Sequence, residues 1–583
     1  MNTKLMFLIL GVSALSVSAF AGERVKIWPE GLMPNAQKHQ IAAMTDEKVK
    51  GTEPYIEWFD PPKNPNGTCM ILISGGGYEC CCDGWIINRW RERFTSIGSQ
   101  CVNFVYRTPR PKGLPIWQTA WQDGQRAVRM VRAEAAKRGF DPNKIGTISM
   151  SAGSHLAVLL ATSSLTPAYE PVDNLDKEVA CNINWAITGA IAYAVDDGVG
   201  TPNMRGGQAI DAKLDSCFKF DKMTPPMCML HGGIDLYSPM ASTLVYRELR
   251  KRKIPAELHL FAGRNHGFWG GNPETDTSAA YDNWFGRVHE FMTQMGFLGP
   301  LKKEEVLMKR YAKDFHDKSQ YVKQNLWPEG QMPYKQDHQC VPYLEWYVPE
   351  KLTSKSIQII YSGGSYQGND PDGFEVAPFR RYLNEKGMTV VTMRYRTPRP
   401  KGLAKHTSAW ADLQRCIRIV RAEAPKRGLD PNKIGIMGSS AGGHLTLMGA
   451  TSSRSLAYWP KDKIDSVSCK ANWAVGIYPA YALTDGAEKP NVRGGNYDDA
   501  RLVPEFAFDL DTCPMVFIHG DSDGWAAMNS VKTWEQMRRM GIQCDLHTLA
   551  TRHHCFQMKA APGTGSYTWM DRIWEFMNCK KIR

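Results

Sequence analysis

The sequence predicts two α/β domains in tandem, each a mostly parallel sheet with helices on both faces. Three observations predict this fold class. The 583-residue chain repeats itself at a nearly constant offset. Within each copy, short β-rich runs alternate with segments of helical apolar spacing, as in parallel sheets. Each copy also places a tight Gly/Ser turn between a strand and a helix.

Composition narrows the class of protein. Hydrophobic residues make up 43% of the chain and charged residues 22%, which excludes a chain that is mostly disordered, collagen-like or coiled-coil. The net charge of +12 comes from 71 basic and 59 acidic residues, without a long Lys/Arg block. This balance is mild for the length, so we predict no nucleic-acid partner.

The first 21 residues read as a signal peptide. Lys4 precedes an apolar run over 5–17, and Ala19-Phe20-Ala21 has the small-x-small form of a cleavage site. The run is short for a membrane span, and no later stretch reaches that length. We therefore predict cleavage after Ala21, no membrane span, and a secreted or periplasmic protein.

Repeated motifs define the domains. WPEG, RTPRPKGL, VRAEA, DPNKIG and PN-x-RGG begin at Trp28, Arg107, Val131, Asp141 and Pro202, and again at Trp327, Arg396, Val420, Asp430 and Pro490. This long period excludes a solenoid and indicates a duplicated domain. We predict one domain over 22–300, a charged linker helix over 301–320, and a second domain over 321–583.

The second copy illustrates the predicted elements. Residues 357–361 and 388–393 are β-rich, 409–427 have helical apolar spacing, and 433–437 form a third strand before a helix that starts at Ala441. Strands are also expected at 227–230 and 515–518. The order of these segments is that of a sheet covered on both faces.

The turn before Ala441 predicts a nucleophile. It reads Gly438-Ser439-Ser440-Ala441-Gly442, a G-x-S-x-G motif in its proper strand-to-helix context. The first copy has Ser151 at the same place, with Ser149 instead of the first glycine. Small neighbours permit the sharp turn, and the helix N-terminus behind the serine favours developing negative charge.

A serine nucleophile needs a histidine base and an orienting acid, in the order Ser, Asp, His. Only some of the nearby acids and histidines occur in both copies. The shared set is Asp235 and His266 in the first copy, and Asp523 and His554 in the second. The acid precedes the histidine by 31 residues in both copies. Asp521 and His553 occur in one copy only and are the weaker candidates. The shared His231, His519, His155 and His444 are expected to lie outside the triad.

Acyl transfer also needs backbone N–H groups that stabilise an oxyanion. One is expected from the residue after each serine, Ala152 or Ala441. The other is expected from glycine-rich loops, with Gly76 and Gly77 in the first copy and Gly364 and Ser365 in the second. A phosphate loop is excluded, since neither loop has the complete glycine-lysine pattern.

The 15 cysteines are an odd number, which leaves at least one unpaired or intermolecular thiol in an exported protein. Disulfides are plausible outside the cytoplasm, but the sequence leaves their pairing open. Cys80, Cys81 and Cys82 are consecutive, whereas metal sites normally space their cysteines. We predict no metal site.

The motif series GG[GS]Y, YRTPRP, DPNKIG and [GS]-x-S-A-G-x-H-L resembles the α/β-hydrolase esterases. More narrowly, it is similar to bacterial acetylxylan-esterase and feruloyl-esterase-like carbohydrate esterases. The resemblance covers nearly all of each copy. It implies a Ser-His-Asp esterase without metal or organic cofactor, acting on acyl esters, foremost acetyl, of polysaccharide or oligosaccharide such as xylan.

The first copy departs from the second at several positions. It has Ser149 for glycine, an apparent Cys80-Cys81-Cys82 insertion beside the oxyanion loop, and Ile86 where the second copy has Glu375. Two alternatives therefore stay open: a lipase or peptidase on the same fold, or one catalytic domain joined to a non-catalytic carbohydrate-binding first copy.

Overall fold

The computed structural model describes residues 22–36, 53–82, 84–196, 212–267, 284–307, 322–484 and 500–582. The predicted signal peptide and both PN-x-RGG motifs lie outside these residues. Within the described ranges, no helix combines the length and the apolar character needed to cross a bilayer.

The N-terminal domain alternates strands and helices along its described residues. Its strands are β1 Glu23–Lys26, β2 Tyr55–Trp58, β3 Cys69–Ile73, β4 Gln100–Val105, β5 Ile145–Met150, β6 Trp185–Gly189, β7 Val195–Asp196, β8 Lys213–Leu214, β9 Met227–Gly232 and β10 Ala256–Phe261. Its helices are α1 Trp85–Ser96, α2 Gln118–Ala133, α3 Ala135–Arg138, α4 Ala152–Thr162, α5 Asn174–Glu178, α6 Met240–Lys251 and α7 Trp284–Gln294.

The C-terminal domain repeats this order after the short connecting strand β11 Glu305–Val306. Its strands are β12 Val322–Asn325, β13 Tyr343–Tyr347, β14 Ile357–Tyr361, β15 Thr389–Arg394, β16 Ile434–Ser439, β17 Trp473–Ile477, β18 Leu483–Thr484, β19 Arg501–Leu502, β20 Met515–Gly520, β21 Cys544–Leu549 and β22 Lys559–Ala560. Its helices are α8 Ala377–Glu385, α9 Thr407–Glu423, α10 Ala441–Thr451, α11 Met528–Arg539 and α12 Trp569–Cys579, with 3-10 turns at Pro425–Arg427 and Lys463–Ser466.

Sixteen strands form one continuous sheet, eight from each domain. The order is β1-β2-β4-β3-β5-β6-β9-β10-β21-β20-β17-β16-β14-β15-β13-β12, so the second half repeats the first in reverse. Within each half every pairing is parallel except the two outermost, so only the second strand from the outer edge, β2 or β13, runs against the others. The predicted fold class, two tandem mostly parallel α/β domains, is therefore confirmed.

The core explains why the strands read as continuous apolar runs. Every residue of β3 and of β14 is buried, as expected for parallel strands covered on both faces. The helices that follow the serine turns, α4 and α10, are also buried along their whole length. Apolar residues surround both helices, and their N-termini lie at the carboxyl edge of the sheet.

The predicted elements of the second copy are confirmed within one to four residues at their ends. The strand at 357–361 and the start of the helix at Ala441 match the structure. The long helix begins two residues earlier than predicted and ends at Glu423, because Pro425 cannot continue an α-helix.

The two domains are joined through the edges of their sheets. Strands β10 and β21 pair antiparallel, with His259 opposite His547. Beside this pair, the Ala262 N–H donates to the buried Asp545 carboxylate at 2.6 Å. The joint thus covers one edge of each domain's sheet. This protects that edge, because an unpaired edge strand is a common site of unwanted association.

Helices from both domains cover this joint and exchange ion pairs. Arg287 on α7 donates to Glu575 on α12, and Arg572 on α12 donates to Glu290 on α7. The two contacts are reciprocal, since RVHEF on α7 corresponds to RIWEF on α12. The domains therefore meet across an approximate two-fold axis, like the subunits of a homodimer.

The linker differs from the prediction at its start. Glu305–Val306 is a strand that pairs with Lys559–Ala560 of the C-terminal domain. The prediction of a helix over 301–320 is therefore wrong for these two residues. Backbone pairing with that domain replaces the helical hydrogen bonds here. Residues 308–320 lie outside the described residues. All fifteen cysteines are described, and each is a free thiol.

Candidate active sites

Each predicted nucleophile stands at a strained turn between a central strand and a buried helix. Ser151 follows β5 and has φ 58°, and Ser440 follows β16 and has φ 54°. A side chain on Gly442 would place its Cβ 2.5 Å from the Ser362 carbonyl oxygen. The left-handed backbone and the tight packing explain why small residues surround the serines.

In the first copy, Ser149 replaces the first glycine of this turn without opening it. Its hydroxyl donates to the Ile187 carbonyl at 3.1 Å and lies 3.1 Å from the Ser154 hydroxyl. The substituted side chain is therefore satisfied inside the core and leaves Ser151 in the nucleophile position.

The predicted triad of the first copy is assembled in space. His266 Nε2 lies 2.8 Å from Ser151 Oγ. The other ring nitrogen, Nδ1, lies 2.9 Å from both carboxylate oxygens of Asp235. The acid follows β9 and the histidine follows β10, so three strand ends at one edge of the sheet bring the residues together.

The second copy has the same arrangement. His554 Nε2 lies 2.9 Å from Ser440 Oγ, and His554 Nδ1 lies 2.7 Å from Asp523 Oδ2. The nearby candidates Asp521 and His553 lie elsewhere. Asp521 pairs with Arg250 of the other domain at 3.1 Å, and His553 is exposed.

A second histidine orients each triad aspartate, which the sequence reasoning missed. His231 Nε2 lies 3.2 Å from Asp235 Oδ2, and His519 Nε2 lies 3.2 Å from Asp523 Oδ2. Burial alone would raise the pKa of Asp523, but hydrogen bonds to His519 and His554 lower it to about 2. The same balance holds the pKa of Asp235 below its ordinary value. Both acids therefore stay ionised at neutral pH.

The glycine-rich loops lie directly against the serines. A Cβ on Gly75 would be 2.8 Å from Ser151 Cβ, so only glycine permits this approach. The next residues, Gly76 and Gly77, have φ 130° and 65°. Ala152 is the first residue of α4, so its N–H has no acceptor within the helix. The predicted donors thus lie in segments that adjoin the nucleophile.

The second copy repeats this loop with one different contact. Gly363 approaches Ser440 Cβ as Gly75 approaches Ser151, but its N–H donates to Glu375 Oε2 at 2.6 Å. Gly364 and Ser365 follow with φ 95° and 55°, and Ala441 begins α10. The predicted donors Gly364, Ser365 and Ala441 therefore stay the candidates for this copy.

The repeated RTPRP motif fixes the loop from the other side. Arg110 donates to the Gly77 carbonyl at 2.8 and 3.0 Å, and Arg399 donates to the Ser365 carbonyl at 3.0 Å. These contacts orient the peptide that follows each predicted donor. From the sequence, the motif marked the repeat and the family resemblance, and its presence in both copies was a signal of function.

The first arginine of this motif has a structural role. Arg107 forms a fully buried ion pair with Asp123 at 2.9 Å, and Trp28 Nε1 donates to the same carboxylate at 2.7 Å. Arg396, Asp412 and Trp327 repeat this arrangement in the second copy. The WPEG and RTPRP motifs therefore converge on one buried acid in each domain.

The predicted cysteine insertion is a substitution. Cys80 N–H donates to the Gly76 carbonyl at 3.2 Å, as Gly368 N–H donates to the Gly364 carbonyl at 3.3 Å in the second copy. The two loops therefore follow the same path, and the cysteines take the places of residues 368–370.

Glu375 marks a difference between the two sites. Its buried carboxylate accepts from the Gly363 N–H and, at 3.0 Å, from the Tyr478 hydroxyl, whose ring packs against His554. Burial raises the pKa of Glu375. The first copy has Ile86 and Ala190 at the corresponding places, so it lacks this polar contact behind its serine.

The fold and the two serine–histidine–aspartate arrangements define the class as a chain with two α/β-hydrolase domains. The profile of the BD-FAE family matches residues 59–198 and 344–536, more than half of the chain and one segment in each domain. The chain belongs to the BD-FAE family. This membership confirms the predicted resemblance to carbohydrate esterases of the α/β-hydrolase fold.

Named relatives match parts of the chain. Endo-1,4-beta-xylanase B of Butyrivibrio fibrisolvens is 28% identical over 35% of this chain and 33% of that protein. Acetylxylan esterase of Xylanibacter ruminicola is 25% identical over 36% of this chain and 42% of that protein. The chain therefore spans less than half the length of either relative.

A similar solved structure is that of an acetyl ester–xyloside bifunctional hydrolase from Caldicellulosiruptor lactoaceticus. It is 22% identical, with a TM-score of 0.36, and covers 45% of this chain and 97% of that one.

Proposed function

We propose that the chain is a carboxylic ester hydrolase with a serine nucleophile in each domain. The observation that carries this proposal is the pair of complete hydrogen-bonded arrangements, Ser151–His266–Asp235 and Ser440–His554–Asp523. Because both are complete, the geometry favours two working sites over a catalytic domain joined to a silent copy.

The proposed reaction follows from these contacts. His266 or His554 takes the proton of the serine hydroxyl through Nε2 while Oγ attacks the ester carbonyl carbon. Backbone N–H groups of the glycine-rich loop and of Ala152 or Ala441 stabilise the resulting oxyanion. The C–O bond to the alcohol breaks, and the histidine returns its proton to the departing oxygen.

The acyl-serine ester is then hydrolysed by the same groups. The histidine takes a proton from water as the water oxygen attacks the acyl carbon, and the serine leaves with that proton restored. The ionised aspartate orients the imidazole and stabilises its charged form in both halves of the reaction. Each turnover consumes one ester and one water and releases an acid and an alcohol, without a cofactor.

For the substrate, we propose acyl esters, foremost acetyl, on plant polysaccharide or oligosaccharide such as xylan. Family membership and the names of the matched relatives support this choice. The triad histidines are 25% and 24% exposed, which suits a substrate that extends beyond the site. We also propose a secreted or periplasmic location, supported by the leader-like residues 1–21.

The test compares Ser151→Ala, Ser440→Ala and the double variant on acetylated xylan and on an aryl acetate. Each single variant should lose the part of the activity that its own site contributes. The activity of the double variant should fall by about 10³-fold or more. His554→Asn should inactivate the second site. His553→Asn, which introduces the residue of the first copy, is its matched control and should leave the rate near that of the parent. Substantial activity of the double serine variant would refute the proposal.

A further inference from the structure

A cluster of metal-ligand side chains lies beside the second active site. His406 directly precedes α9, His444 lies one turn after Ser440 on α10, and Glu505 comes from the loop before β20. Glu505 Oε1 lies 3.2 Å from His444 Nε2 and 3.7 Å from His406 Nδ1. The three ligand atoms all lie within 4.8 Å of one another.

These separations match those around a small tetrahedral cation. Zinc binds imidazole nitrogen and carboxylate oxygen at about 2.0–2.2 Å, which places neighbouring ligand atoms about 3.4 Å apart. The two separations from Glu505 Oε1, 3.2 and 3.7 Å, lie on either side of that value. Two imidazoles and one carboxylate form a set that suits divalent transition metals.

The side chain of His444 is oriented as a ligand. Its Nδ1 lies 2.8 Å from the Tyr366 hydroxyl, so the ring is held through the nitrogen that faces away from Glu505. An outer hydrogen bond of this kind is what metal-binding histidines usually have.

His406 supplies the observation that a hydrogen-bond network alone does not explain. Its Nδ1 is buried and has no hydrogen-bond partner among the described residues, yet it faces the Glu505 carboxylate. A buried polar atom without a partner is destabilising, and an ion between these groups would remove that cost. The neighbouring cation, Lys405, has its Nζ over the ring of Tyr481.

Other parts of the chain serve as internal comparisons. The first copy keeps His155 but has Trp117 and Cys217 in place of His406 and Glu505. A second group, Cys228, Glu257 and His259, is fully buried. Both nitrogens of His259 lie within hydrogen-bond distance of another side chain there, so that group is complete without an ion.

We propose that His406 Nδ1, His444 Nε2 and Glu505 Oε1 bind one zinc ion, with water as the fourth ligand. His406 and Glu505 keep 13% and 16% of their side chains exposed, which provides a route for the ion. The ion lies outside the esterase reaction, since none of its ligands belongs to the triad. Its role is to tie the start of α9 and the loop before β20 to α10. Through Tyr366 it also braces the loop that contains Ser365.

The experiment titrates Zn²⁺ into the full-length, chelator-treated protein by calorimetry, and Co²⁺ as a spectroscopic probe. We expect one high-affinity site and visible absorption typical of tetrahedral Co²⁺. His406→Trp, which restores the residue of the first copy, and Glu505→Gln should each weaken binding by about 100-fold or more, the upper range seen for lost outer-shell contacts. His338→Gln, at an exposed histidine, is the matched control and should bind like the parent.

Circular dichroism identifies variants that fail to fold, and the isosteric Glu505→Gln keeps the test valid if His406→Trp is one of them. Absence of Zn²⁺ binding by the parent would overturn the proposal. Equal affinity of the parent and a folded ligand variant would also overturn it. Because the readout is binding, failure here is distinguishable from failure of the esterase proposal.

Discussion

Replacing Glu375 by isoleucine, the residue of the first copy, tests whether a buried carboxylate positions the second oxyanion loop. The change removes the acceptor of the Gly363 N–H and a hydrogen-bond contact of the Tyr478 hydroxyl. Tyr478 keeps its contact with Gln557, whereas the Gly363 N–H loses the acceptor it has in the structure. Glu375 is thus argued to be a positioning residue, acting through Gly363.

The expected magnitude follows from that lost acceptor. A buried donor left unsatisfied costs about 1–3 kcal/mol. If the loop shifts to recover this energy, the oxyanion donors move away from the developing charge, and the loss appears in the transition state. At about 1.36 kcal/mol per tenfold in rate, kcat should fall about 5-fold to 150-fold, with KM nearly unchanged.

The assay measures kcat and KM for aryl acetate hydrolysis in a Ser151→Ala background, so that only the second site contributes. Glu375→Gln retains an oxygen that accepts from Gly363, and it should keep most of the activity. A folded Glu375→Ile enzyme whose kcat stayed within about twofold of its parent would refute this positioning role. It would also be refuted if the glutamine variant lost as much as the isoleucine variant.

Two further predictions concern the joint between the domains. Burial raises the pKa of Asp545 to about 7, above its ordinary 3.8, so the folded state holds a proton that the unfolded state releases. Its contribution to stability is therefore present below about pH 4 and declines by roughly 4 kcal/mol as pH rises to 7. Asp545→Asn should make the melting temperature depend less on pH over this range. An unchanged pH dependence would contradict the raised pKa of Asp545. Arg287→Met removes the guanidinium partner of Glu575 at a buried contact and should lower the free energy of unfolding by about 3 kcal/mol. Thermal unfolding measures the loss, and Arg287→Met/Glu575→Leu should recover most of it; an equal loss in the double variant would show that the ion pair is not the cause.

The catalytic candidates were predictable because their chemistry imposes local rules. A nucleophile turn requires small residues at fixed positions, which makes Ser151 and Ser440 visible without a structure. An Asp or His often occurs by chance at a plausible distance from a nucleophile. Comparison of the two copies excludes such candidates, since Asp521 and His553 occur in one copy only. The structure places each shared residue in a hydrogen-bonded triad.

Positioning residues were less visible because their contacts depend on how the chain turns after a strand and not on a recognised motif. His231 was expected to lie outside the triad, yet it contacts the triad aspartate four residues later through the turn after β9. Arg110 reaches back to the carbonyl of Gly77. Nothing in the local spacing of these residues indicates such contacts, although their presence in both copies was consistent with a role.

The sequence by itself determined the elements, the duplication and the order of the triad residues, because each depends on local backbone rules or on identity between the copies. Only the tertiary structure decided how the halves join. Strand β10 carries no signal that its neighbour is β21, since edge pairing depends on shape and on which backbone groups are left exposed. The same holds for His406, His444 and Glu505, which three separate segments bring together at ligand distances. Spacing along the chain predicts chemistry within one turn or loop, whereas chemistry between loops depends on packing.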